Sequence, residues 1–161
     1  NQNLLFAGRC SLGIRVFDGR IGSEKHCGSF DQKAVFWIKS LTTSPQILAS
    51  SYNSKLNLWD FRVPSKPLVE YKNYVNSGSK RCKEPAIDES ESLLFAANES
   101  TGHINCWDIQ KGNILSRIST PISVESTEDV PAICFVNSHS VNSPKLILCC
   151  KNMLFTYSLS L

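Results

Sequence analysis

One pattern recurs along the chain and constrains its fold more than any single residue does. Ile14-Arg15-Val16-Phe17-Asp18, Leu56-Asn57-Leu58-Trp59-Asp60 and Ile104-Asn105-Cys106-Trp107-Asp108 each alternate along the chain and close on an aromatic followed by Asp. Leu154-Phe155-Thr156-Tyr157-Ser158 is a degraded fourth copy. The aromatic stands at positions 17, 59, 107 and 157, at intervals of 42, 48 and 50 residues. Alternation with period two predicts strands. A second apolar run precedes each copy at a near-constant distance: Leu4-Leu5-Phe6-Ala7, Ile47-Leu48-Ala49-Ser50, Leu93-Leu94-Phe95-Ala96 and Leu146-Ile147-Leu148-Cys149. Links such as Ser51-Tyr52-Asn53-Ser54 and Glu99-Ser100-Thr101-Gly102 carry turn residues, so run and copy pair as a hairpin.

Where the chain is long enough, a further apolar stretch precedes the hairpin: Val35-Phe36-Trp37-Ile38, the weaker Pro85-Ala86-Ile87, and the run from Val130 to Val136. A more amphipathic stretch follows it, Pro67-Leu68-Val69-Glu70-Tyr71 and then Gly112 to Ile118. That makes four strands per unit with no helical period. Four short strands per ~45 residues also suits a β-sandwich, but a sandwich has no reason to repeat one signature at fixed spacing.

With Trp59-Asp60 and Trp107-Asp108 ending strands at this period, the sequence resembles the WD-repeat β-propellers over essentially its whole length. The resemblance implies an all-β chain, residues 1–161 forming a partial β-propeller of four-stranded blades. Blades end near Phe17, Trp59, Trp107 and Tyr157. Counting strands gives about three and a half blades, from the second strand of one to the third strand of another. Since closed propellers have more, and an open stack exposes edge strands, the expectation is that upstream blades are missing; pairing with another chain is the alternative. The opening Asn1-Gln2-Asn3, without Met, also reads as cut from a longer chain. Two departures from the family are visible. Gly102-His103 lies inside a hairpin rather than at the usual Gly-His position, and Asn53 replaces the usual hairpin Asp. The family's buried Asp-His-Ser/Thr-Trp network is therefore expected to be absent, with packing taking its place.

Two copies extend further: Phe17-Asp18-Gly19-Arg20 and Trp59-Asp60-Phe61-Arg62 both read aromatic-Asp-x-Arg, whereas Trp107-Asp108-Ile109-Gln110 lacks the Arg. Residues 47–62 resemble the sixteen-residue box of WD-repeat proteins that dock on the damaged-DNA-binding adaptor of cullin-4 ubiquitin ligases. Val69-Glu70-Tyr71, Val75-Asn76-Ser77, Val130 to Phe135 and Met153 to Ser158 resemble one subgroup in its C-terminal part, the DDB-adaptor/cullin-4-associated factors of type four, also called WD-repeat protein 21. The resemblance implies a non-catalytic substrate receptor whose adaptor-binding residues are Arg62, Arg20, Trp59, Asp60, Phe17 and Asp18. A planar, permanently charged guanidinium at a rim can bind a partner carboxylate or carbonyls bidentately. Alternatively each Arg caps its own blade through Asp18 or Asp60, in a generic WD-repeat scaffold with no ligase role. The opposite rim, built from loops 72–82 and 119–129 with turns 51–54 and 98–102, would hold an unknown protein substrate.

Composition excludes other classes. Apolar residues are 42% and charged residues 19%, enough for a packed core. A formal net charge of +3 without clustered Lys and Arg gives no reason to expect direct nucleic-acid binding. No run approaches the roughly 18 apolar residues of a membrane span, so no membrane is expected. Cys10, Cys27, Cys82, Cys106, Cys134, Cys149 and Cys150 contain no C-x-x-C; most lie in apolar runs and are expected to be free, small hydrophobes in an intracellular protein, nuclear or cytoplasmic. Ser79-Lys80-Arg81-Cys82-Lys83 reads as a solvated loop, and Asp88, Glu89 and Glu91 as an acidic turn rather than a calcium loop. Asn98-Glu99-Ser100 fits a glycosylation acceptor that an intracellular chain leaves unused. His26, His103 and His139 stand far apart along the chain. No catalytic constellation, metal or cofactor is expected.

Overall fold

The computed structural model describes residues 3–9, 13–20, 28–32, 34–76, 83–121, 130–136 and 144–158. Cys10, Cys27, Cys82, His26, His139, residues 79–82 of the basic run and most of loops 72–82 and 119–129 lie outside these. Among the described residues, fourteen strands form four antiparallel sheets. The first holds β1 (Leu4–Arg9), β2 (Gly13–Asp18) and β3 (Gly28–Phe30). The second holds β4 (Val35–Ser40), β5 (Gln46–Ser51), β6 (Lys55–Asp60) and β7 (Val69–Glu70). The third holds β8 (Ala86–Ile87), β9 (Leu93–Ala97), β10 (Ile104–Asp108) and β11 (Ile114–Ile118). The fourth holds β12 (Ala132–Val136), β13 (Lys145–Cys150) and β14 (Met153–Ser158). Each is a plain up-and-down meander, and the aromatic-Asp signature ends the strands β2, β6 and β10. The chain is a partial β-propeller of about three and a half blades. The one strand that pattern reading overlooks is β3, whose Gly28-Ser29-Phe30 is too short to show a period. Among the described residues there is no helix, so none crosses a membrane.

Three apolar cores lie between successive sheets. Ile14, Val16 and Phe30 of the first sheet pack on Ile47, Ala49 and Trp59 of the second. Leu48, Leu56 and Leu58 turn the other way and meet Leu94, Ala96 and Trp107. Phe95, Ile104 and Cys106 meet Leu146 and Leu148. The signature Trp59 and Trp107 thus each face the preceding sheet. Being covered on both faces, β5, β6, β9 and β10 are buried almost end to end. Even the polar members of the alternation, Asn57 and Asn105, are buried, so each needs a hydrogen-bond partner.

Those partners amend the expectation that the blades rely more on packing and less on polar specification. In the second sheet Gln32, buried just ahead of β4, accepts from Trp59 Nε1 at 2.8 Å and from Asn57 Nδ2 at 3.1 Å. Its own Nε2 donates to the Ala49 carbonyl at 3.0 Å and to Ser51 Oγ at 3.3 Å, and Ser51 Oγ donates to Asn53 Oδ1 at 2.7 Å. A Gln offers one acceptor and one donor face, as a His does, so the polar network survives with Gln32 at its centre.

The two end sheets each keep an uncovered face among the described residues. Leu5, which is 65% exposed, pairs with Phe17 on one. Cys149 and Leu154, a cross-strand pair, are exposed on the other, as is Cys134. Here the cysteine expectation needs amending. Cys106 and Cys150 are buried, but Cys134 and Cys149 point to the open face, because neighbours along a strand alternate sides. All four are free thiols, and burial pushes the Cys106 thiol up to about 11.

Candidate functional site

In an up-and-down meander successive connections emerge at alternate rims, so the turns after β2, β6 and β10 all emerge at one rim. Arg20 and Arg62 therefore share a rim, each in the turn after its signature strand. Their local geometry is the same. Asp18 Oδ1 accepts the Arg20 backbone N–H at 3.0 Å, and Asp60 Oδ1 accepts that of Arg62 at 2.9 Å, closing an Asx-type turn. The guanidinium then folds back on the same carboxylate. Arg62 Nε donates to Asp60 Oδ1 at 3.0 Å and Nη2 to Oδ2 at 2.6 Å. Arg20 Nε donates to Asp18 Oδ1 at 2.9 Å while Nη2 donates to Oδ2. The Arg20 hydrogen bonds hold the Asp18 carboxyl down at about 2, and those of Arg62 lower Asp60. Both guanidinium groups are raised in turn.

These forks use Nε and Nη2, leaving the far edge of each guanidinium toward solvent, with side chains 70% and 65% exposed. The N–H groups that remain, on a plane already fixed in direction by the fork, suit bidentate recognition. The sequence assigns all six side chains one role, and the structure separates them. Trp59 is buried against the first sheet and Phe17 lies back from the rim within β2; the two arginines are exposed at the rim, each over a carboxylate that is largely covered, Asp18 or Asp60.

The unspecified third position of the tetrapeptide also has a task, which its variability hides. The Phe61 ring stacks obliquely on Phe6 of the first sheet at 5.7 Å. Ile109, fully buried, offers its carbonyl to Tyr71 Oη of the second sheet at 2.7 Å. Burial, with Asp108 adding to it, pushes the Tyr71 phenol up, so it stays a donor. In the third copy the Arg position is Gln110, which exchanges amide hydrogen bonds with Gln46 of the second sheet at 2.9 and 3.2 Å. The same rim carries a second tie. Glu91, in the turn between β8 and β9, accepts from the backbone N–H and hydroxyl groups of both Thr42 and Thr43 at 2.7–3.1 Å. Desolvation works to raise the Glu91 carboxyl, but these bonds together outweigh it and hold it low. Asp88 likewise accepts the Ser92 and Leu93 N–H groups at 2.8 and 2.6 Å, so the acidic turn is a set of caps.

At the opposite rim the turns interlock. Asn73, in the left-handed region at φ 60, aims its carbonyl at Asn98 Nδ2 (3.0 Å) and Asn105 Nδ2 (3.1 Å). Asn98 is buried and its Oδ1 closes the turn onto Ser100 and Thr101, which removes it as a glycan acceptor. Among the described residues no group of three or more His, Cys, Asp or Glu side chains could hold a metal ion.

No family profile matches the chain. Human DDB1- and CUL4-associated factor 4 is 27% identical over 163 residues, covering 98% of this chain and 32% of that protein. An uncharacterised WD repeat-containing protein of Caenorhabditis elegans is 29% identical over 80 residues, 49% of this chain and 14% of that protein. The chain thus spans about a third or less of the length of these curated relatives. Among solved structures, the computationally designed Ika4 protein superposes with a TM-score of 0.66 over 99% of this chain and 88% of its own, at 14% identity, a likeness of fold alone. The chain resembles the WD-repeat proteins, and DDB1- and CUL4-associated factor 4 in particular.

Proposed function

We propose that this chain is the blade-forming part of a substrate receptor for a cullin-4 RING ubiquitin ligase, and that it docks on the damaged-DNA-binding adaptor through the rim bearing Arg20 and Arg62. The observation that carries the reading is the duplicated Asp–Arg fork, one charge geometry presented twice on one rim. An ion pair whose guanidinium lies in solvent contributes little to stability, so folding alone gives little reason to build it twice. Held by its own Asp, each guanidinium meets a partner with little orientational entropy left to lose. The name of the human relative, which covers nearly the whole chain, supports the same partner. In this role the protein is a scaffold without catalysis of its own and acts inside the cell, where the ligase works. The opposite rim is left for the protein to be ubiquitylated.

A second reading has one observation in its favour. Both arginines already have a carboxylate, so they could be caps in a WD-repeat scaffold of some other complex. Adaptor capture by the full-length protein separates the two. Arg20→Glu with Arg62→Glu abolishes capture if the rim docks, with thermal melting checking that the fold persists. Undiminished capture by the folded double variant sinks the proposal.

A further inference from the structure

We infer that the cleft between the second and third sheets, on the rim opposite Arg20 and Arg62, binds an anionic side chain of a partner polypeptide; the inference rests on the reading of that rim as the substrate side. The cleft has a cavity of about 200 Å³ lined by Asn73, Asn98, Thr101, His103, Asn105 and Arg117. Its lining is rich in donors. Asn98 and Asn105 each commit one amide hydrogen to the Asn73 carbonyl and retain a second. Arg117 brings five N–H groups and makes no ion pair among the described residues. His103 Nδ1 is sealed from solvent and has no hydrogen-bond partner among the described residues. A buried ring nitrogen calls for a partner, and none of the described residues supplies one. No carboxylate lines the cavity among the described residues.

The repeat supplies an internal control. A cleft of the same size lies at the equivalent place in the second sheet, lined by Lys55, Asn57, Glu70 and Lys72 among others. There the residue across from Asn57 is Glu70, and Lys72 Nζ neutralises it at 3.8 Å. In the third sheet the residue across from Asn105 is Arg117, with no countercharge among the described residues. One position on one scaffold therefore carries a paired negative charge in one blade and an unpaired positive charge in the next. A guanidinium, an imidazole and amide N–H groups converging on a small cleft match a carboxylate or phosphate group. Aspartate, glutamate and phosphorylated side chains share that chemistry.

The test is read on the full-length protein without the adaptor, so it can fail while the docking proposal stands, and the reverse. Fluorescein-labelled decapeptides with a central Glu-Glu, Gln-Gln or phosphoserine are titrated and followed by anisotropy. The Glu-Glu or phosphoserine peptide binds at least about tenfold tighter than the Gln-Gln peptide, the scale of one charge-assisted hydrogen bond. Which of the two binds identifies the source of the anion. Arg117→Gln removes the preference, His103→Phe reduces it, and Glu70→Gln in the neighbouring cleft leaves it intact. Arg117 and Glu70 are exposed, so these variants keep the fold, and thermal melts verify it. Equal affinity for all three peptides overturns the inference, as does a preference that survives Arg117→Gln.

Discussion

In the second sheet Trp59 donates its indole N–H to the Gln32 side chain; in the third, Trp107 donates its own to the backbone carbonyl of Lys72 at 3.2 Å. Each Trp also meets an aromatic edge from the sheet before it, Phe30 at 5.3 Å in one case and Tyr71 at 6.0 Å in the other. The template is shared, but the signature strand of the second blade is tied to the connection before it by a replaceable side-chain hub, and that of the third by main chain and a tyrosine hydroxyl. At the rim the difference is reversed in sense. The second blade presents its Arg to solvent, while the third uses the same position, Gln110, to hold its neighbour. A repeat can thus give up an outward-facing group where it closes a seam between sheets, and keep one where it does not.

The sharpest test of the shared template is to remove the indoles. Trp107→Ala, enclosed between two four-stranded sheets, is expected to cost about 3–5 kcal/mol in denaturant unfolding of the full-length protein. Trp59→Ala falls toward the lower end of that range, because its neighbour is the three-stranded first sheet. A larger loss at Trp59 would mean that the first seam, not the second, holds the arc together.

The hub comes next. Gln32→Leu leaves Trp59 Nε1 and Asn57 Nδ2 buried without an acceptor, and at about 1–3 kcal/mol for each unsatisfied group the loss should approach that of a core truncation. Gln32→His restores an acceptor and a donor and should recover most of it. If Leu is tolerated as well as His, the network is incidental and the expectation of reliance on packing stands after all. The third blade admits no equivalent substitution, since its acceptor is a peptide carbonyl.

The contrast between hub and carbonyl also explains what could be read in advance. The described strands other than β3, the order of the sheets and the rim of Arg20 and Arg62 follow from alternation and spacing, which are backbone properties that local residues express. Residues 47–62 carry both the hairpin and its Asp–Arg fork within one contiguous stretch. Gln32 escapes a pattern reading because its partners lie 17–27 residues away and no period marks it. A search of the connection before β4 for any side chain with one donor and one acceptor face, rather than for His alone, would find it. Arg117 and Glu70 read as solvated charges until the register sets each beside an Asn of the signature strand. Asn73, whose carbonyl does the binding, has no sequence signal beyond the tolerance of Asn for positive φ.

A smaller effect separates the two aromatic seams. Tyr71→Phe makes the second–third seam resemble the first–second seam, where Phe30 has no hydroxyl, and removes only the bond to the Ile109 carbonyl. The cost expected is about 1 kcal/mol, read from the denaturation midpoint at unchanged slope. A loss several times larger would show that the ring itself had shifted off Trp107.

The smallest effect is the one that depends on pH. Glu91 ties the third sheet to Thr42 and Thr43 of the second, and its folded carboxyl is held below the ordinary glutamate value. For a depressed carboxylate the sign is fixed: the unfolded chain takes up the proton first, so the stabilisation is complete above the unfolded value and disappears as pH falls through the folded one. The melting temperature of the wild type should therefore exceed that of Glu91→Gln at neutral pH, and the two curves should converge below the ordinary carboxylate range. The Asp18 and Asp60 forks, lowered in the same direction, act equally in both proteins and cancel from the difference. A gap between the curves that stays constant as pH falls through the ordinary carboxylate range and beyond would mean that the glutamine side chain loses shape complementarity rather than charge, and that the seam is held by fit.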